Sequence, residues 1–92
     1  MSLSEFIKQK RLGVFLTQQE AVKLLGYKNS QFLSSLEVGK RKPPIEVLKR
    51  MCEVYRISQD EMRSRYVQQA KVDAEVMAIK RWDEHFATKE ST

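Results

Sequence analysis

The chain has 92 residues, a length that suits one small domain with a thin core. It carries 17 Lys and Arg against 12 Asp and Glu, a net charge of +5, and 41% of its residues are hydrophobic, which is the composition of a folded protein. One cysteine, one histidine and the lack of a long apolar run exclude a disulfide framework, a Cys- or His-cluster metal site and a membrane span.

Capping residues, prolines and apolar spacing predict helices along the whole chain. Ser2, Thr17 and Ser58 each precede a glutamate by three residues, the capping-box spacing that marks a helix start. Asn29 is a good N-cap, and Pro44 suits the first turn of a helix. Apolar residues at helical spacing follow each start. The sequence therefore predicts no strands and helices over 3–12, 17–25, 30–37, 44–55, 58–67 and 70–87.

The second and third of these segments form the most informative part of the sequence. The motif LTQQE occupies residues 16–20, and the predicted helix that contains it ends at LG, residues 25–26. The motif LEVG at 36–39 ends the next helix and precedes a basic loop and two prolines. Two short helices joined by a tight turn are typical of a helix-turn-helix. Over about residues 3–62 the sequence resembles the lambda-repressor and Cro-like (Xre) family. The resemblance implies an all-α fold, with a five-helix DNA-binding domain that commonly acts as a dimer, here followed by a C-terminal helix.

The resemblance also implies roles for individual residues. Gln18 matches a glutamine that clamps a DNA phosphate, and the loop 40–42 matches a basic loop that lies along the DNA backbone. Arg11 and Glu37 match a pair that ties the first helix to the end of the third, which is the recognition helix. The predicted DNA-binding residues are Gln18, Lys28, Asn29, Ser30, Gln31, Ser34, Ser35, Lys40, Arg41 and Lys42.

Side-chain chemistry favours a major-groove role for the recognition helix independently. Gln31 can bond adenine N7 and N6 in a bidentate manner, whereas three serines, Ser30, Ser34 and Ser35, allow close approach but discriminate weakly. The helix contains no Arg or Lys, so its cations stand on either side of it. We therefore expect charge to position the protein on the DNA backbone and uncharged groups to read the bases. The turn before this helix contains one residue more than the family pattern, and we assign the extra residue to Lys28. The side chain of Lys28 can reach a guanine or a phosphate.

Several of these residues also have a purely structural interpretation. Gln18 and Gln31 can be solvated surface residues, and the loop 40–42 can be solvated without a partner. Phe32 stands where the family commonly has small or polar residues. We expect it to pack in the core or against Tyr27 rather than to touch a thymine methyl group.

The segment 66–92 lies beyond the resemblance and is too apolar for a solvated tail. Four of its large apolar residues follow one helical stripe, and a fifth adjoins that stripe. Folding back onto its own domain would enlarge a thin core, whereas pairing with a second copy would cover a large apolar patch, and we favour pairing. We predict a DNA-binding domain over 1–65 and a helical dimerisation segment over 66–92. The stripe comprises Val72, Val76, Ile79 and Phe86, with Trp82 beside it.

These patterns predict a homodimer that binds double-stranded DNA sequence-specifically and represses transcription by covering a promoter. Two alternatives stay open: an antitoxin-type regulator that also holds a toxin partner, and a protein-interaction module that uses the same surface. A protein-binding surface needs no phosphate clamp, so Gln18 and its basic neighbours favour DNA.

Catalysis has little support in this sequence. It offers no Ser/His/Asp set in a recognisable context, no phosphate-binding glycine loop and no cluster of metal ligands. We therefore expect no enzymatic activity and no cofactor. The residues 1–5 lack a basic region followed by an apolar stretch, so we expect no signal peptide and a cytoplasmic location without a membrane partner.

Overall fold

The computed structural model describes the backbone of residues 1–90 and the side chains of residues 1–86. No strand occurs within 1–90, so the predicted all-α class is confirmed. No helix in that stretch is both long enough and apolar enough to cross a bilayer. The helices are, in chain order, α1 (Leu3–Gly13), α2 (Gln18–Leu25), α3 (Ser30–Glu37), α4 (Ile45–Tyr55) and α5 (Gln59–Glu90).

The helix starts follow the capping residues that the sequence indicates. The Ser2 hydroxyl accepts the Glu5 backbone N–H at 3.2 Å. Thr17 and Glu20 form a reciprocal capping box at the start of α2, which satisfies two backbone donors. Thr17 and Pro44 are N-caps, so α2 and α4 each begin one residue later than predicted.

The prediction of two separate C-terminal helices is wrong, because α5 is continuous. The predicted segments 58–67 and 70–87 join into one helix of 32 residues. No Gly or Pro follows Pro44, so nothing in the chain forces a break. The predicted boundary between 1–65 and 66–92 therefore falls inside a helix, and residues 91–92 of that segment lie outside the described residues.

One hydrophobic core joins α1 to α4 with the first turn of α5. Among the side chains of α5 described, up to Phe86, Met62 is the buried one, at 5% exposure. Every described residue from Ala74 to Phe86 is exposed. The radius of gyration is 16.6 Å, against about 12 Å for a compact chain of this length, because the distal half of α5 projects from the core. The buried apolar residues are Leu3, Phe6, Ile7, Ala21, Val22, Leu25, Leu33, Leu36, Val47, Leu48, Met51, Tyr55, Ile57 and Met62.

Candidate nucleic-acid interface

The turn between α2 and α3 depends on Gly26. This residue has φ 88° and caps the end of α2 in the left-handed conformation, which costs glycine little. A Cβ at this position would lie 2.6 Å from Nη1 of Arg50. That same Nη1 donates to the carbonyl of Leu25 at 2.9 Å. The glycine therefore allows both the tight turn and the side chain that closes it.

α3 has one face in the core and one face toward solvent. Leu33 and Leu36 are buried at 1% and 0% exposure, whereas Gln31 is exposed in the first turn. Asn29 caps the helix, because its Oδ1 accepts the backbone N–H of Gln31 at 2.8 Å. The helix begins at Ser30 as predicted. Its exposed N-terminal end is the part of a recognition helix that meets base edges.

The three serines of α3 differ in their surroundings. Ser30, Ser34 and Ser35 are all half-buried. The hydroxyl of Ser35 donates to the carbonyl of Phe32 at 2.7 Å, so its one proton already has a partner within the helix. Ser30 and Ser34 are therefore better placed than Ser35 to donate to DNA.

Gln18 lies at the start of α2 and is half-buried. Its Nε2 donates to Oε1 of Glu37 at 3.0 Å, a contact that the sequence did not indicate. A carboxamide nitrogen has two protons, so one remains for an acceptor outside the domain. The bond to Glu37 thus fixes the direction of the amide and leaves its second N–H for another acceptor.

A buried ion pair holds α1 and α3 together beside this glutamine, as the resemblance implied. Nε of Arg11 donates to Oε2 of Glu37 at 2.8 Å, and Nη2 donates to Oε1 at 3.0 Å. Nη1 of Arg11 donates to the carbonyl of Leu16 at 2.7 Å. The hydrogen bonds to Glu37 raise the pKa of Arg11 above its ordinary value. The pair fixes the end of α3 relative to the start of α2.

Tyr55 of α4 lies near the buried pair of Arg11 and Glu37. Burial, with a smaller effect of Glu37, raises the pKa of its hydroxyl well above the ordinary range. Its oxygen has no hydrogen-bond partner among the described residues. The tyrosine contributes packing to the core.

The loop after α3 carries the three cations that the resemblance places along DNA. Lys40, Arg41 and Lys42 are all exposed. The backbone N–H groups of Lys40 and Arg41 both donate to the carbonyl of Ser35, at 3.0 and 3.2 Å, which holds the loop against the end of α3. Nζ of Lys42 lies 3.5 Å from Oδ2 of Asp73 in α5, an exposed ion pair that contributes little to stability. Lys42 is therefore partly directed toward α5, whereas its two neighbours lie at α3.

An aromatic pair lies between α2 and α3. The rings of Tyr27 and Phe32 are 4.9 Å apart, and both are packed against the core, which is the packing expected for Phe32. The Arg41 guanidinium lies over the Phe32 ring, 5.7 Å from its centre. Lys28, in the turn before α3, is exposed.

A polar contact that the sequence did not indicate joins α5 to the start of α1. Oε1 of Gln69 accepts the backbone N–H of Leu3 at 3.0 Å, and Nε2 of Gln69 donates to Asp73 at 3.0 Å. Asp73 in turn lies beside Lys42. The middle of α5 is thereby connected to both α1 and the basic loop.

Two further features of the described residues concern metal binding and thiol reactivity. Within the described residues no group of three His, Cys, Asp or Glu side chains is placed to hold a metal ion. Cys52 is half-buried on α4, and burial raises the pKa of its thiol, which makes it less reactive.

Comparison with known protein families identifies the matched part of the chain. A family model described as a helix-turn-helix domain matches residues 2–64, about two-thirds of the chain. No curated protein matches, and no solved structure matches. The matched span contains α1 to α4 and the first residues of α5, and therefore the whole surface around α3.

Proposed function

The chain belongs to the helix-turn-helix domain family, and on that premise we propose that it is a transcription regulator that binds double-stranded DNA with α3 in the major groove. The observation that carries the proposal is the exposed, capped first turn of α3, with Gln31 outermost and cations on both sides. The net charge of +5 adds a general attraction to a polyanion.

The proposed contacts divide into two groups. Gln18, Lys28 and the loop 40–42 would bond phosphates and set the position of the protein on the duplex. Ser30, Gln31 and Ser34, which lie on or near the exposed side of α3, would face base edges. In this arrangement Asn29 acts as the helix cap, and its side chain supports the first turn.

Replacing one cation of the loop 40–42 with alanine tests the proposed phosphate contacts. We expect Lys40→Ala to weaken binding to all duplexes alike and to make the slope of log K against log salt shallower by about one unit. The measurement is titration of a fluorescent duplex at several salt concentrations. Lys49→Ala, at an exposed position on α4, is the matched control and should leave the slope unchanged. An affinity that does not vary with salt would contradict the proposal.

Loss of the outermost α3 side chain should affect sequence preference instead. We expect Gln31→Ala to cost about 1–3 kcal/mol on the preferred site and to relax the preference at one base pair per half-site. Binding to a set of single-base variants of that site measures the effect. Gln9→Ala, an exposed glutamine on α1, is the control. If the Gln31 variant distinguishes the variant sites as the unaltered chain does, Gln31 does not read a base.

We further propose that DNA is bound by a homodimer formed through the distal part of α5, within the segment 66–92. The large side chains there are exposed: Val72 44%, Val76 57%, Ile79 52% and Trp82 64%. The exposed part of α5 from Ala74 to Phe86 packs little against the core, so it gains little stability from its own hydrogen bonds, and an apolar stripe of this size is typical of an interface. Two copies would set two recognition helices about one DNA turn, or about 34 Å, apart. A dimer on a promoter would repress by steric exclusion.

The same exposed stripe is the observation that supports a second candidate, an antitoxin-type regulator that holds a toxin. In that case a different protein covers α5, and the chain alone stays monomeric while retaining its DNA surface. A module that binds only protein would lack salt-dependent DNA binding altogether. Sedimentation of the isolated chain, together with the salt titration above, distinguishes the three.

A further inference from the structure

The side chain of Arg41 runs back along the recognition helix. Its backbone N–H is anchored at the carbonyl of Ser35, 3.2 Å away, near the end of α3. Its guanidinium lies 5.7 Å from the ring centre of Phe32, three residues nearer the helix start. Three residues of α-helix span about 4.5 Å. The charge of this loop residue is therefore located beside the first turns of α3 rather than out over the loop.

The Phe32 ring provides a rigid surface on which that guanidinium packs. The ring packs against Tyr27 at 4.9 Å and against the core, so its own position is set by the fold. A guanidinium over an aromatic face is attracted by the electrons of the ring, and this contact limits the freedom of a long side chain. Within the described part of the chain the ion pairs involve Lys10, Arg11 and Lys42, so Arg41 keeps its charge available.

We propose that Arg41 reads a guanine in the major groove, next to the base that Gln31 contacts. The inference rests on the proposed DNA-binding function and separates Arg41 from the phosphate contacts assigned to the loop. The guanidinium fork matches O6 and N7 of guanine, a pair of acceptors that no side chain of α3 itself can meet in this way, because the helix has no Arg or Lys. Lys42 differs because it lies beside Asp73 on α5.

The experiment is selection of bound sequences from duplex DNA with a randomised segment, followed by titration of the recovered sites. The full chain, Arg41→Ala, Arg41→Lys and the matched loop control Lys40→Ala are compared. We expect the unaltered chain to prefer guanine at one position per half-site by about 5- to 150-fold. Arg41→Ala should lose this preference. Arg41→Lys should restore charge and overall affinity but not the full preference, since an ammonium group lacks the fork. Lys40→Ala should keep it.

A second variant tests the contact between Arg41 and the Phe32 ring. Phe32→Leu keeps an apolar side chain against the core but removes the aromatic face, so preference should weaken at the same guanine position and nowhere else. Thermal unfolding of this variant shows whether its fold is retained. If Arg41→Ala weakens all sequences alike and Arg41→Lys restores full binding, Arg41 contacts a phosphate and the inference is overturned. If the unaltered chain binds no duplex at all, the proposed function itself is wrong. If the chain binds DNA and its guanine preference survives Arg41→Ala, the proposed function stands and the inference about Arg41 is wrong.

Discussion

Replacing Glu37 with alanine is expected to destabilise the fold by about 3–5 kcal/mol. The side chains of Arg11 and Glu37 are only 6% and 2% exposed, so removal of the carboxylate leaves a buried guanidinium without its partner. Gln18 loses its acceptor at the same time. Small domains have a total stability of about 5–15 kcal/mol, so this single change removes a large part of it. Urea unfolding followed by circular dichroism measures the loss.

Two further variants show whether the loss of stability in Glu37→Ala comes from an unpaired buried charge. Glu53→Ala removes an exposed carboxylate from α4 and should change stability by no more than about 0.5 kcal/mol. The double variant Arg11→Met with Glu37→Leu removes both charges and should lose much less than Glu37→Ala, because no buried charge stays unpaired. Equal losses for Glu37→Ala and Glu53→Ala would show that the pair does not hold α1 and α3 together.

Replacing Ile79 with glutamate is expected to convert the proposed dimer into a monomer. Complete burial of an isoleucine contributes about 1.5–3 kcal/mol, and about half of Ile79 remains to be buried, so each copy loses about half of this amount. A two-fold interface loses it twice and would also bury two carboxylates, so the dimer dissociation constant should rise at least about 10-fold. Sedimentation equilibrium measures this constant. Because Ile79 is 52% exposed in the isolated chain, the stability of the core should not change. Affinity for a two-half-site duplex should fall by about 100-fold or more, since the second recognition helix is no longer tethered.

A neighbouring residue serves as the control for this variant. Ala78→Glu adds the same charge at the next exposed position of α5, off the stripe, and should leave dimerisation and DNA binding intact. An Ile79→Glu chain that still dimerises would place the interface elsewhere on the molecule. A monomeric unaltered chain at the concentrations that saturate DNA would instead favour a different protein as the partner of α5.

Local signals were sufficient to predict most of the fold. Each cap bonds within three residues of itself, as Ser2, Thr17 and Asn29 do, so short-range sequence determines where helices begin. The single α5 was missed because its apolar residues change faces. Near Met62 they face the core, whereas farther along they face solvent, and a change of phase in the periodicity resembles a break. Without a Gly or Pro the backbone continues through it.

The candidate site was predicted less completely because its contacts join residues far apart in the chain. Gln18 bonds a carboxylate 19 positions away, and Gln69 bonds the start of α1 from 66 positions away. The position of Arg41 over Phe32 depends on the path of a whole loop. No local pattern specifies such pairs. The helix and the cations could be named from sequence, but which of them face the same target could not.

We propose that α3 and its flanks form the surface that touches DNA. Titration of the isotope-labelled full chain with a selected duplex, followed through the amide signals by NMR, tests this proposal. We expect the largest shifts at Gln18, Gln31 and Lys40, with the exposed end of α4 at Glu53 unchanged. Shifts confined to the distal half of α5, or no shift at all upon addition of duplex, would contradict the account.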